Sequence, residues 1–174
     1  MMKRFFHKGS SVVHREPNYV ENAIENLKEP VDIAIGFPMG KASSIQYPDG
    51  TPLIDVAVYN NYGTFNKDGS VHIPPRPFMD IGGLNASLQT KNLRRALIKK
   101  VREGKIDFIQ AADIIGAKAA VIMKNTIRDL KDPPNAPYTI KKKKSDNPLV
   151  DTGLLMQSVT WELRKHKREV EIPD

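Results

Sequence analysis

The chain has 174 residues, which suits one domain, with 40% hydrophobic and 27% charged residues, 13 prolines and a formal net charge of +7. It has no cysteine, so disulfides and thiolate metal sites are excluded, and no apolar run nears the roughly 20 residues needed to cross a bilayer. The positive surplus would answer to nucleic acid, an anionic membrane or an acidic protein, and equally to plain solubility.

Residues 1–15 carry Lys3, Arg4, Lys8 and Arg15 and no acid. They read as a basic arm, expected to be mobile in isolation. No apolar stretch follows this basic start, so it does not read as a signal peptide. Pro17 opens a predicted acidic helix, with Glu21, Glu25 and Glu29 at four-residue spacing and Val20, Ile24 and Leu27 on the other face. Val31-Asp32-Ile33-Ala34-Ile35 alternates as a half-buried strand should. A loop rich in glycine and proline follows and closes in the turn Tyr47-Pro48-Asp49-Gly50. Thr51 is placed to cap a helix with Pro52 at its first position, Leu53, Val56, Ala57 and Asn60 on one face, and Gly63 as the stop. The β-branched content of that stretch argues for a strand instead.

Ile73-Pro74-Pro75-Arg76-Pro77-Phe78 can be neither helix nor central strand, because its prolines remove the backbone donors both require. Two helices are predicted next. Leu93, Ala96, Leu97, Lys100 and Val101 make the stripe of the first, which Gly104 ends, with Lys91, Arg94, Arg95, Lys99 and Arg102 on its other surfaces. Asp107 caps the second, which runs to about Leu130 with Phe108, Ala112, Ile115, Ala119, Ile122 and Leu130 in a stripe, and Pro133-Pro134 stops it. Pro137 to Lys144 reads as an irregular basic loop, and Asp151-Thr152-Gly153 as a cap before a short helical turn. Val159, Trp161 and Leu163 alternate as a strand whose Trp161 faces the long helix, and Lys167–Ile172 would return beside it. The expected class is α+β: a small antiparallel sheet against one long helix plus shorter helices, with an extended proline-rich loop. The expected division is the arm at 1–15 and a single domain at 16–174.

The motifs of catalysis are missing. Gly36-Phe37-Pro38-Met39-Gly40-Lys41-Ala42 invites comparison with a phosphate-binding loop, yet its spacing is one short and Ala42 and Ser43 misplace the magnesium hydroxyl. Pro38 removes a cradling amide, and no helix is expected to follow. His7, His14, His72 and His166 have no partner at metal-ligand spacing, and Asp146 and Asp151 sit in a polar loop. No catalytic residue, metal site or cofactor is therefore expected. Lys141, Lys142, Lys143 and Lys144 either lie along a phosphate backbone or form a solvated face. No base-reading motif is legible, so any DNA contact would be independent of sequence.

Three segments taken in order carry a resemblance. They are Ala57–Thr64 with Ile73–Met79, then the long helix with its Gly104-Lys105-Ile106-Asp107 entrance, then Pro137–Lys141 followed by Pro148–Val159. Over roughly residues 31 to 164 the chain resembles the neck and tail-completion (head–tail joining) proteins of long-tailed bacteriophages and prophages. The resemblance implies an α+β subunit of a homo-oligomeric ring at the head–tail junction of the virion, made in the bacterial host cytoplasm. DNA would pass through that ring, connector and tail proteins would adjoin it, and neither catalysis nor membrane is implied. A tail-terminator ring protein, or a small sequence-independent DNA-binding protein, are the alternatives. Ile73, Pro74, Pro75, Arg76, Pro77 and Phe78 are then candidates for a subunit or partner interface, or for a rigid connection with Phe78 in the core. Lys3, Arg4, Lys8, Arg94, Arg95 and Lys141 to Lys144 are candidates for the DNA channel or acidic partners. Asp151, Gly153 and Trp161 are expected to be structural.

Overall fold

The computed structural model describes residues 31–165. The basic arm, the acidic helix expected after Pro17 and the return expected at Lys167–Ile172 lie outside the described residues. In chain order the elements are β1 (Val31–Gly36), α1 (Met39–Ala42), α2 (Leu53–Tyr62), β2 (Thr64–Phe65), β3 (Val71–Ile73) and α3 (Phe78–Gln89). Then come α4 (Lys91–Arg102), α5 (Phe108–Asp129), α6 (Pro137–Lys143), α7 (Leu154–Ser158) and β4 (Thr160–Lys165). The fold is mixed helix and strand, as the patterning requires.

The long helix is α5, whose 22 residues give a rod of about 33 Å. Its start is fixed by a reciprocal cap: Asp107 Oδ1 accepts from the Gln110 amide at 2.7 Å, and Gln110 Oε1 accepts from the Asp107 amide at 3.2 Å. Its buried band is wider than the predicted stripe, because Ala111, Gly116, Ala120, Met123, Thr126 and Ile127 join Ala112, Ala119 and Ile122. Many of these are small, and small residues let other elements approach closely. Gly116 shows this best, since any Cβ there would overlap the Trp161 indole.

β1 and β4 pair antiparallel, with Ile33 opposite Leu163 and Ile35 opposite Trp161. This two-stranded sheet packs on α5, which supplies the support that an isolated pair lacks in water. The expected strand begins one residue late, because Val159 ends α7 and is 1% exposed in the core. Leu53, Phe78, Met123, Ile127, Leu149, Leu155 and Val159 form that core, so α2, α3, α7 and the loop before α7 all meet on one end of α5.

Several expectations need correction. Phe78, expected in no helix, opens α3, which forms although Gly82 and Gly83 each cost a helix about 1 kcal/mol relative to alanine. Tertiary packing overrides that cost, since Gly82 lies against Met123 where a Cβ would overlap the sulfur. Pro137 to Lys143 is helix rather than irregular loop: proline suits a first helical position, and Lys144 in the left-handed region ends the segment. A single turn, α1, does follow Pro38, but four residues make no phosphate cradle. Thr51 does not cap α2; Pro52 holds that place, while the Thr51 amide donates to Asp49 Oδ1 at 3.0 Å. Nor does Asp151 cap α7. Gly153 at φ 80° starts that helix, and Thr152 Oγ1 accepts from the Leu154 amide at 3.3 Å.

Candidate functional site

The chain leaves α2 through Gly63, whose φ is 76°, and the β2–β3 hairpin brings it back there as the proline segment. A Cβ there would lie 2.7 Å from the Ile73 carbonyl oxygen, so only glycine lets the segment return this tightly. The Arg76 amide donates to the Asn60 carbonyl at 2.8 Å, and Asn61, itself buried, accepts from the Met79 amide at 3.0 Å. Arg76 is 2% exposed. Its Nε donates to the Pro133 carbonyl at 2.7 Å and its Nη2 to the Pro134 carbonyl at 3.1 Å, with Asn135 Oδ1 at 3.4 Å. Burial pushes its pKa below the ordinary arginine value. Phe78 is fully buried and meets Phe37 edge to face, ring centres 6.4 Å apart.

Arg76 and Phe78 are therefore withdrawn from the candidate interface: one bolts the segment to the exit of α5 and the other fills the core. Ile73 and Pro74 are half-buried. Only Pro75 and Pro77 face outward.

The lysine run is likewise divided by its helix. Lys141, Lys142 and Lys144 are exposed, whereas Lys143 is half-buried, with Nζ donating to the carbonyls of Asn147 (3.3 Å) and Pro148 (3.4 Å). Burial lowers its pKa, Asp151 opposes that, and the Arg76 charge adds to it. Asp151 thus acts through its charge rather than as a cap. Asn147 ties the same loop to α5 by donating to the Arg128 carbonyl at 2.6 Å while its Oδ1 accepts from the amides of Leu149 and Val150. Trp161 is half-buried against α5, and its Nε1 donates to Asp113 Oδ1 at 2.8 Å.

Two surfaces remain, of which the first went unread in the sequence. The first is the hairpin β2–β3, whose turn is held by Asn66, Asp68 and Ser70: the Ser70 amide and hydroxyl donate to Asp68 Oδ1 at 2.9 and 2.6 Å. Its main contacts are between its own strands. Phe65, Val71 and the adjoining Tyr62 are 65%, 55% and 68% exposed. The Asp68-Gly69 pair between two β-rich runs is the signal that could have found it.

The second is α4. Leu97 is buried and Leu93 and Val101 are half-buried, turning Lys91, Arg95, Lys99 and Arg102 outward at i, i+4, i+8 and i+11. Lys91–Arg102 contains six cations and no acid. Like charges three or four apart (91–94, 91–95, 95–99 and 99–102) each cost about 0.2–0.5 kcal/mol. Relief comes from Glu103 alone among the described acids, at 3.9 Å from Lys99 and 2.7 Å from Lys105. Arg94 turns the other way, donating to the Ser87 carbonyl at 2.9 Å. Lys3, Arg4 and Lys8 lie outside the described residues.

A shallow groove of about 420 Å³ runs between α3 and α5, lined by Ile81, Asn85, Ile122 and Thr126 among others. Its titratable group is Asp129, which Arg128 holds as a carboxylate well below its ordinary pKa. Among the described residues no group of three or more His, Asp or Glu could hold a metal, and no helix is long and apolar enough to cross a membrane. Comparison with protein-family models, curated proteins and solved structures finds no match.

Proposed function

We propose that the chain is a structural virion protein of the bacteriophage head–tail junction, a neck or tail-completion subunit in a ring that joins tail to capsid connector around the DNA. The observation that carries this reading is the projecting hairpin. A two-stranded sheet in water is marginal, and one that presents Tyr62, Phe65 and Val71 gains from a neighbouring surface. The proline segment supports it from below: locked by Arg76 and Phe78, it fixes the direction in which the hairpin leaves the body. The order of the Ala57–Thr64, Ile73–Met79 and Pro148–Val159 segments adds the resemblance to neck proteins. A tail-terminator ring would make the same use of these parts.

The competing reading is a small sequence-independent DNA-binding protein, favoured by the positive face of α4, which carries no acid within the helix. Mass photometry of the free protein and of assembled particles separates the two. Rings that do not weaken with salt support the junction subunit, and a monomer absent from particles overturns it.

A further inference from the structure

We infer that the outward face of α4, carrying Lys91, Arg95, Lys99 and Arg102, is the surface that meets the phosphate backbone of duplex DNA. Its purpose in a channel rests on the proposed function, but the contact itself is read on the free protein. The lysine run of α6 is the weaker candidate, because Lys143 is turned inward onto the carbonyls of Asn147 and Pro148. On α4 the four cations stand on one side of a straight helix, spread over about 17 Å, while Arg94 is held apart by Ser87. A helix kept soluble by charge would intersperse acids. This one has none between Lys91 and Arg102, so its like charges repel, eased only at Lys99 by Glu103 at 3.9 Å among the described acids.

The neighbourhood narrows the class of partner. An anionic membrane would draw in the apolar side of such a helix, yet Leu97 is buried and Leu93 and Val101 are half-buried, leaving Ile98 as the one large apolar side chain that α4 exposes. Duplex DNA offers about one charge per 1.7 Å of axis, so a 17 Å row spans roughly ten phosphates. No aromatic side chain lies within α4, which removes base stacking and leaves contact that is indifferent to sequence. Such contact suits DNA that must move past the site.

The test is fluorescence anisotropy of the full chain with a random-sequence duplex between 50 and 200 mM salt. Four phosphate contacts predict a slope of log K against log salt near about −3.6, an affinity loss on the order of 10² across that range. The triple variant Lys91→Gln, Arg95→Gln, Lys99→Gln should reduce the slope by about 2.7, with an unchanged or higher melting temperature because repulsion is relieved. The control Lys141→Gln, Lys142→Gln, Lys144→Gln should leave it unchanged. An unaltered slope in the first variant, an equal loss in the control, or no duplex binding by the parent chain overturns the assignment. Binding to poly-glutamate in preference to duplex overturns it in favour of an acidic protein partner. Mass photometry of the same samples keeps the two proposals apart. Rings without DNA binding overturn this one alone, and DNA-binding chains absent from particles overturn the junction reading alone.

Discussion

Replacing Arg76 with alanine should destabilise the free subunit rather than merely its assembly. Two charge-assisted bonds, at 2.7 Å to Pro133 and 3.1 Å to Pro134, are lost. Each contributes about 1.5–3 kcal/mol, and each carbonyl left dry costs about 1–3 kcal/mol more. Two effects offset this. The buried guanidinium no longer has to be desolvated, and Pro134 is exposed enough for water to replace its donor. The net loss is about 3 kcal/mol, which for a chain of this size lowers the melting temperature by about 10 °C. Arg76→Lys keeps the charge but not the fork, and should recover only about a third of the loss. Differential scanning calorimetry on the isolated protein reads both. An unchanged melting temperature with defective assembly would refute the bolt and return Arg76 to the interface.

Trp161→Ala should cost about 2–3 kcal/mol, less than a fully buried tryptophan, because the ring is half-buried and loses one bond to Asp113; a near-neutral melting temperature would mean that β4 does not pack on α5. Phe65→Ser with Val71→Ser should shift the monomer's stability by under about 1 kcal/mol, since both are exposed, yet abolish self-association in mass photometry. Rings that form normally from this variant would remove the hairpin from the contact. The Asp68 carboxyl lies below its ordinary value of 3.8 because the Ser70 hydroxyl, then its amide, donate to the charged form. Its folded pKa is depressed, so the turn gains stability above pH 3.8 and loses it as pH falls through the lower folded value. The Ser70 amide shift, followed by NMR, should titrate with a midpoint below 3.8; a midpoint at or above that value contradicts the turn geometry.

The elements legible in the sequence are those whose pattern comes from one face of one element. The alternation Val31, Ile33, Ile35 gave β1, and the stripe with Asp107 at its head gave α5, cap included. α3 was hidden because Gly82 and Gly83 weaken the local preference, and the reason for Gly82, the close approach of Met123, lies 41 residues away. The lysines of α6 masked a helix whose start is marked only by Pro137. The candidate interface divided for a related reason. Proline content shows that a segment is extended, but not which way Arg76 and Phe78 point, and both point inward toward partners brought near by the fold. The charge on α4 was visible as composition. Its place off the apolar stripe was legible from helical spacing as well, and the stripe was overdrawn only at Ala96 and Lys100, which are exposed.

The central claim, that this chain is a ring subunit at the head–tail junction, is met most directly by cryo-electron microscopy of assembled particles. The account predicts density for residues 31–165 in a closed ring between capsid connector and tail, with the β2–β3 hairpin of each copy seated on its neighbour and α4 toward the DNA. Particles that are complete without the chain, or that carry it as isolated copies away from the junction, would contradict it.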